Sequence, residues 1–488
     1  MPPKMSEILN FIRPGVVARR VMRRLHLGGA WSRVALCIDQ RRPTVSADDW
    51  SEPLVPLQPG VTRAPNVLTS SDTLADRSPC EQGRHAWTKD QPKLRCLLAA
   101  PTLDVGGVEE VVAFLARRLP SFGIHTAVLC GRAERAASRQ TGRVARALES
   151  DGIEVRAIGT DGALDWIRAW QPDVISGHGD PVWAAAAAES AGVPFVDNLH
   201  GMNGAIGRDW RWHSDAARSG QLAAVVAVSD VLRREHRAVN PGFPPDRIVT
   251  IPNGVDERRA RGNRVATRNW LGITHEYLLV SLGRYCMQKN TYGLITAFND
   301  VARIHPEAHL LIAGNIDESP YYRRVHKLRD ASPYRERIHL RDHYDAPWDL
   351  LAAADGFVLA SFFEGWPLAS MEALCAGLPV VMTEVSGARE QVGDDRARGY
   401  VVKNPVGDPL VDWSAFAAAQ YRPHANREEL AAAIDRLISD RDDYQRNRQQ
   451  LAAESAERFS STRWAEQHAR VLRTAATPSA PAAPAAFP

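Results

Sequence analysis

The sequence predicts an α/β protein of two doubly wound halves of similar size, each a buried parallel sheet flanked by helices. Three observations point there. Short continuous apolar runs alternate with helical segments, which is how strands covered on both faces read. The alternation pauses once, at the basic, strand-poor stretch Glu257 to Arg268, and then restarts. Glycines and charged residues cluster just past the predicted strand ends, where open α/β sheets hold their ligands.

Taken in order, the first 92 residues differ from the rest. They are rich in Pro, Ser, Arg and Asp, and Asp72 to Pro92 reads as a linker. Met1 to Arg33 carries seven basic residues (Lys4, Arg13, Arg19, Arg20, Arg23, Arg24, Arg33) against one acid, Glu7. On a helical wheel Arg19, Arg20, Arg23 and Arg24 oppose Val17, Val21, Met22 and Leu25. Two readings fit that pattern: a short amphipathic helix on an anionic membrane surface, or a solvated arm. A secretory signal is not expected, because no apolar core precedes a small-residue cleavage site.

Strands are then predicted at Leu94–Ala100, Ile124–Cys130, Ile153–Ile158, Asp173–Ser176, Val193–Leu199, Leu222–Val228 and Ile248–Pro252. Helices such as Gly107–Leu119 and Val182–Ala191 fall between them. The second series runs Tyr277–Leu282, His309–Ala313, Ile338–Leu340, Gly356–Ala360, Val380–Thr383 and Tyr400–Val402. Arg427 to Thr474 reads as two or three helices, and Thr477 to Pro488 as a low-complexity Ala/Pro tail.

Composition narrows the function. In 488 residues, 44% are hydrophobic and 24% charged, enough for two large cores. Lys and Arg number 60 against 57 Asp and Glu, a net charge of +3, which argues against nucleic acid held by bulk charge. No run of 18 apolar residues is present, so no transmembrane helix is expected. Cys37, Cys80, Cys96, Cys130, Cys286 and Cys375 show no close pairs and no metal spacing, and a reducing, cytoplasmic compartment is the simplest reading.

The most specific signal is Glu364-Gly-Trp-Pro-Leu-Ala-Ser-Met-Glu372, after the predicted strand Gly356–Ala360. Pro367 suits the first turn of a helix. Glu364 then sits on the loop and Glu372 within the helix, beside backbone N–H groups suited to an anion. Gly283-Arg284-Tyr-Cys-Met-Gln-Lys289 follows another strand, and an Arg fork with a mobile Lys suits a diphosphate. Gly106-Gly107 lies between the first strand and a helix, and glycine there permits close approach of a ligand. A tight structural turn needs the same glycines. The dinucleotide pattern Gly-x-Gly-x-x-Gly is absent there, which weighs against a nicotinamide cofactor. His200 ends a strand at the predicted cleft, His178 ends the one before it and is a weaker candidate for acceptor binding, and His125 reads as structural. Asp440-Arg-Asp442 falls between predicted helices, away from any strand end, so no metal site is expected.

Taken together, these motifs resemble the retaining glycosyltransferases of family 4, which have the GT-B fold of two Rossmann-like domains facing a central cleft. The similarity spans about Leu94 to Arg473 and includes Asn198-Leu-His200-Gly201, Val228-Ser229, Ile251-Pro-Asn-Gly-Val-Asp256 and Ile312-Ala-Gly314 in family order. It implies an extension over 1–92, expected to be disordered outside its short helix, and Rossmann-like domains over 93–262 (acceptor side) and 263–458 (nucleotide-sugar side). A C-terminal helix over 459–475 would cross back to the first domain, and 476–488 would be a disordered tail. Glu364 and His200 would serve at the donor sugar, and Glu372 at the ribose. Arg284 and Lys289, with Gly106 and Gly107, would hold the diphosphate. The substrate would be a nucleotide-diphosphate sugar, with no cofactor and no metal, and the acceptor a lipid-linked or cell-surface glycan as in bacterial lipopolysaccharide or exopolysaccharide assembly. The base would lie near Leu340 to His343. Three departures from the family pattern are visible: Trp366-Pro367 for Phe-Gly, Asn290 for Gly, and Asn315 for a second Gly. The rival readings are a GT-B nucleotide-sugar epimerase, a soluble natural-product glycosyltransferase and a non-catalytic sugar-nucleotide-binding subunit.

Overall fold

The computed structural model describes residues 50–55, 94–104, 106–131, 142–158, 162–201, 210–255, 262–394, 396–407, 413–422 and 424–477. The basic arm, the linker over 72–92 and the tail beyond Thr477 lie outside the described residues.

Among the described residues, the first half builds a seven-stranded sheet. Its strands are β1 (Leu94–Ala100), β2 (Ile124–Gly131), β3 (Glu154–Ile158), β4 (Val174–His178), β5 (Phe195–Leu199), β6 (Leu222–Ala227) and β7 (Ile248–Thr250). The second builds a six-stranded sheet from β8 (Tyr277–Leu282), β9 (Ala308–Ala313), β10 (Ile338–Arg341), β11 (Gly356–Leu359), β12 (Val380–Thr383) and β13 (Gly399–Val402). All pairings between these strands are parallel. The continuous apolar runs are explained by burial: Cys96 through Ala100 and Leu278 through Val280 are fully enclosed.

Spatial order is β3-β2-β1-β4-β5-β6-β7 in one sheet and β10-β9-β8-β11-β12-β13 in the other. The winding therefore reverses between β1 and β4, and again between β8 and β11. The loops after β1, β8 and β11 carry Gly106, Arg284 and Glu364, and β4 itself ends at His178. A reversal of strand order opens a crevice at the carboxyl edge, so the topology sets the predicted site residues at both crevices. β4 runs two residues past its predicted end and takes in His178.

Short polar side chains start several helices. Ser229, Asn263, Asn290 and Ser460 each accept a hydrogen bond from a backbone N–H three residues on. Asn290 has φ 49°, the left-handed region that asparagine tolerates better than most residues. That conformation accounts for Asn standing where the family commonly has Gly.

The C-terminal region forms three helices, Arg427–Ser439, Arg441–Arg458 and Ser461–Ala476. The first two pack on helices Thr291–Ile304 and Leu368–Cys375 of the second half. The third packs on the first half. Val255 N–H donates to the Phe459 carbonyl at 2.9 Å. Trp464 stacks on Phe114 at 4.4 Å, and Trp464, Ala469 and Leu472 join the core beneath the first sheet. Arg473 reaches the Phe122 carbonyl.

Residues 50–55 differ from the disordered extension expected of them. Leu54 N–H donates to the Leu271 carbonyl at 2.8 Å, and Trp50 stacks on Trp270 at 5.5 Å and meets Tyr344 at 5.0 Å. Trp50 and Leu54 supply enough apolar surface in a polar context to hold this short segment on the second half.

Trp464 is nearly enclosed, so its removal leaves a cavity at the join of the two halves. Trp464→Ala is expected to destabilise the protein by about 3–5 kcal/mol, read from the midpoint of denaturant unfolding. A midpoint unchanged from the parent would show that the crossing helix contributes little.

Candidate active site

Strand ends and three close approaches build the site. After β8 the chain turns through Gly283 and Arg284 into the buried Tyr285. The Tyr285 hydroxyl donates to the Ile312 carbonyl at 2.7 Å and accepts from Arg341 N–H at 3.1 Å. Its N–H donates to the Asn315 carbonyl at 2.8 Å. Tyr285 thus pins the Arg284 turn to the ends of β9 and β10. Beside it, Gly314 has φ 158°, and a Cβ there would collide with the Gly283 carbonyl oxygen. Glycine is required by that contact.

Lys289 closes a short turn, Met287–Lys289, that leads into helix Thr291–Ile304. Its Nζ lies 2.6 Å from Glu364 Oε1. Ser361 Oγ donates to the same oxygen at 2.7 Å, and Gln288 Nε2 donates to Oε2 at 3.3 Å and to the Phe363 carbonyl at 3.1 Å. Glu364 is only 7% exposed. A buried carboxylate is costly unless paired and hydrogen-bonded; here Lys289, Ser361 and Gln288 meet both conditions. Asn290 Nδ2 donates to the Ala360 carbonyl at 3.0 Å, tying the Lys289 turn to the Glu364 loop. Arg284 pairs with Asp317 and lies within 3.4 Å of Gln288 Oε1.

His200 meets this cluster from the other half. A Cβ on Gly365 would strike the His200 carbonyl oxygen, so the loop from β11 passes directly against the end of β5. Gly107 opens helix Gly107–Arg118 and faces Leu368, the first residue of helix Leu368–Cys375. Pro367 is the cap of that helix in extended conformation, one position earlier than expected, because its ψ of 116° is not helical. Gly106 sits over Glu109, whose carboxylate accepts from Thr102 Oγ1 at 2.8 Å.

The structure therefore gathers Arg284, Lys289 and Glu364 into one charged cluster, with His200 against it. Gly106 and Gly107 border the same join. Just over one turn into its helix, Glu372 lines a small cavity with Glu110, Arg117, Val255, Leu368 and Trp464. His178 is not an acceptor ligand: it is fully buried, 3.0 Å from His200 Nε2 and 3.0 Å from Ser176 Oγ. Burial, with His200 and His468 nearby, holds it well below the ordinary imidazole range. Ser361, Gln288 and Tyr285 escaped sequence reasoning. They are common residue types, and only the tertiary contacts single them out.

Two facing parallel sheets, with a basic pair and a buried glutamate at their carboxyl edges, define a GT-B glycosyltransferase. Residues 105–259 match the family "Glycosyltransferase Family 4" and residues 266–412 match "Glycosyl transferases group 1". The chain belongs to glycosyltransferase family 4. A glycogen synthase of Mycobacterium tuberculosis is 30% identical over 312 residues, 58% of this chain and 69% of that protein. A putative teichuronic acid biosynthesis glycosyltransferase, TuaC of Bacillus subtilis, is 29% identical over 236 residues, 46% of this chain and 57% of its own. Among solved structures, Anabaena HepE in complex with UDP-glucose superposes with a TM-score of 0.64 at 18% identity, covering 78% of this chain and all of that one.

The glycine contacts separate by geometry. Gly314→Ala forces backbone apart and is expected to destabilise by about 1–3 kcal/mol. Gly107→Ala places a methyl 3.5 Å from Leu368, an ordinary contact, and is expected to change stability by less than about 0.5 kcal/mol. Paired denaturation curves check this; equal midpoints would remove the close approach at Gly314 as a constraint.

Proposed function

We propose that the protein is a retaining hexosyltransferase that moves a sugar from a nucleotide-diphosphate sugar to a lipid-linked or cell-surface glycan. The observation that carries this reading is the Lys289–Glu364 pair, buried beside Arg284 at the switch point of the second sheet. Arg284 and Lys289 face the carboxylates of Asp317 and Glu364. A diphosphate is the stronger anion, and its arrival would take over both cations. Glu364 would then accept hydrogen bonds from the donor sugar.

Departure of the nucleotide leaves an oxocarbenium-like sugar and concentrates negative charge on the diphosphate. Arg284, Lys289 and the N-terminus of helix Leu368–Cys375 would stabilise that charge more in the transition state than in the ground state. The departing phosphate itself would take the acceptor proton on the same face of the sugar, which retains configuration. Glu372 would contact the ribose from the next turn of the helix. Support for a glycan acceptor comes from the two relatives, one named for glycogen and one for teichuronic acid. The basic residues of Met1 to Arg33 support work at the inner face of a membrane, in the cytoplasm, where nucleotide sugars and lipid-linked acceptors meet.

Screening nucleotide sugars by thermal shift identifies the donor. At 100 times its dissociation constant it should stabilise the protein by about 2.7 kcal/mol. Arg284→Ala and Lys289→Ala are each expected to lower transfer at least 100-fold, about 2.7 kcal/mol or more of transition-state stabilisation, with the fold intact by circular dichroism. Parental turnover in the double variant would overturn the reading.

Transfer is also expected to survive excess EDTA, because the diphosphate charge meets Arg284 and Lys289. Loss of transfer on chelation, restored by Mn²⁺ or Mg²⁺, would show that a divalent ion carries that charge.

A further inference from the structure

His200 ends a buried chain of polar groups, and we propose that Ser176 and His178 are positioning residues that fix it as the neutral imidazole protonated at Nδ1. In that form His200 is a hydrogen-bond donor to the transferred sugar and not a base. The proposal rests on the reading of His200 as a donor-site residue.

The chain can be followed proton by proton. Asn198 Nδ2 lies 2.9 Å from the Gly177 carbonyl, which fixes it as the nitrogen of that amide. Its second hydrogen points to Ser176 Oγ at 3.0 Å. Ser176 Oγ therefore accepts from Asn198. The other side-chain partner of Ser176 is His178 Nε2, also at 3.0 Å. Ser176 Oγ has lone pairs for two donors, but among the described residues its hydroxyl proton has no acceptor except His178 Nε2, because an amide nitrogen cannot accept, so that proton is assigned to His178 Nε2. That nitrogen must then carry a bare lone pair, and the single proton of a neutral imidazole sits on His178 Nδ1. His178 Nδ1 lies 3.0 Å from His200 Nε2 and donates to it. His200 Nε2 is thereby occupied as an acceptor, and its own proton belongs on Nδ1.

Surroundings keep the chain neutral. Ser176 and His178 are enclosed at the end of β4, and Asn198 beside them in β5. Burial and the neighbouring imidazoles hold His178 in its uncharged form. His468, on the crossing helix Ser461–Ala476, is enclosed too, and burial with His200 nearby lowers it to about 3. His200 is thus set among imidazoles that stay uncharged across the working pH range.

Two chemical consequences follow. A lone pair committed to His178 is not available to the acceptor hydroxyl, so a step in which His200 removes that proton is excluded. A neutral Nδ1–H adds no positive charge beside a sugar that itself becomes cationic in the transition state, whereas an imidazolium would raise that barrier. The chain fixes which face of the ring donates, as partners on the far nitrogen do for many functional histidines.

Long-range ¹H–¹⁵N correlation of the full chain labelled with ¹⁵N-histidine reads the tautomer, with the His200 signals assigned by their loss in His200→Ala. In the parent, His200 is expected to show a protonated-type Nδ1 and a bare-type Nε2. His178→Phe removes the donor, and His200 is expected to move toward the Nε2-protonated form that prevails in water. His178→Asn places an amide N–H where Nδ1 stood and is expected to keep the parental pattern. With the nucleotide sugar found in the thermal-shift screen, His178→Phe should lower kcat about 10–100-fold with KM little changed, and His178→Asn should recover most of it. An Nε2-protonated His200 in the parent overturns the proposal, and that measurement does not depend on either variant folding. An unchanged tautomer in folded His178→Phe overturns it too. If the tautomer is as stated but His200→Ala turns over like the parent, the donor-site reading fails while the proton chain stands.

Discussion

The site depends on backbone touching backbone. At Gly314 the chain passes so close to the Gly283 carbonyl that no side chain fits, and at Gly365 it does the same against the His200 carbonyl. The first approach lets the ends of β8 and β9 lie against one another beside the Arg284 turn. The second lets the two halves meet beside the loop that carries Glu364. Glycine permits this closeness, and the surrounding packing and hydrogen bonds hold it. Tyr285 and Asn290 then lock the same turns with buried hydrogen bonds at the ends of three strands: Tyr285 donates to the Ile312 carbonyl and accepts from Arg341 N–H, and Asn290 donates to the Ala360 carbonyl. The cations are thus set on rigid turns, and catalytic preorganisation needs that rigidity.

Within this frame the charges are arranged to be exchanged. Lys289 and Glu364 are largely buried, so each would be costly alone. Ser361 and Gln288 supply hydrogen bonds that would still hold Glu364 in place if a ligand claimed Lys289. Arg284 and Asp317 are about half exposed, and such a pair contributes roughly 0–1 kcal/mol. Opening it costs little. The buried pair keeps the site formed, and the exposed pair releases a cation easily.

Much of this was legible in the sequence, and the remainder has identifiable causes. Parallel strands buried on both faces write themselves as continuous apolar runs, so β1 and β8 run over the residues the sequence predicts, and the structure brings the first glutamate of the spaced pair, Glu364, beside the strand-end cations. Strand ends were less sharp: β4 extends to His178 because a histidine satisfied by Ser176 and His200 can stay inside a strand. The same satisfaction turns a candidate surface ligand into a buried one. Ser361, Gln288 and Tyr285 carry no signal in one dimension, since their roles arise from what lies across a loop. Trp50 and Leu54 were lost in a polar extension because two apolar residues make no period. The ribose role of Glu372 comes from resemblance alone, for the residue lines a cavity under the crossing helix.

What fixes the halves to one another can be decided by magnitude. Arg143 and Asp345 bridge them at 2.6 Å, yet both are well exposed, so the pair is worth little. Glu390 accepts from Asp230 N–H at 2.9 Å at the start of helix Asp230–Val239, a charge-assisted bond worth about 1.5–3 kcal/mol. The crossing helix outweighs both. Full burial of Trp464 and Leu472 alone contributes about 3–6 kcal/mol at the usual 1.5–3 per large apolar side chain. That helix belongs in sequence to the second half and in packing to the first, and it also carries His468 to the neighbourhood of His200. The strongest tie between the halves therefore runs past the histidine chain that ends at His200.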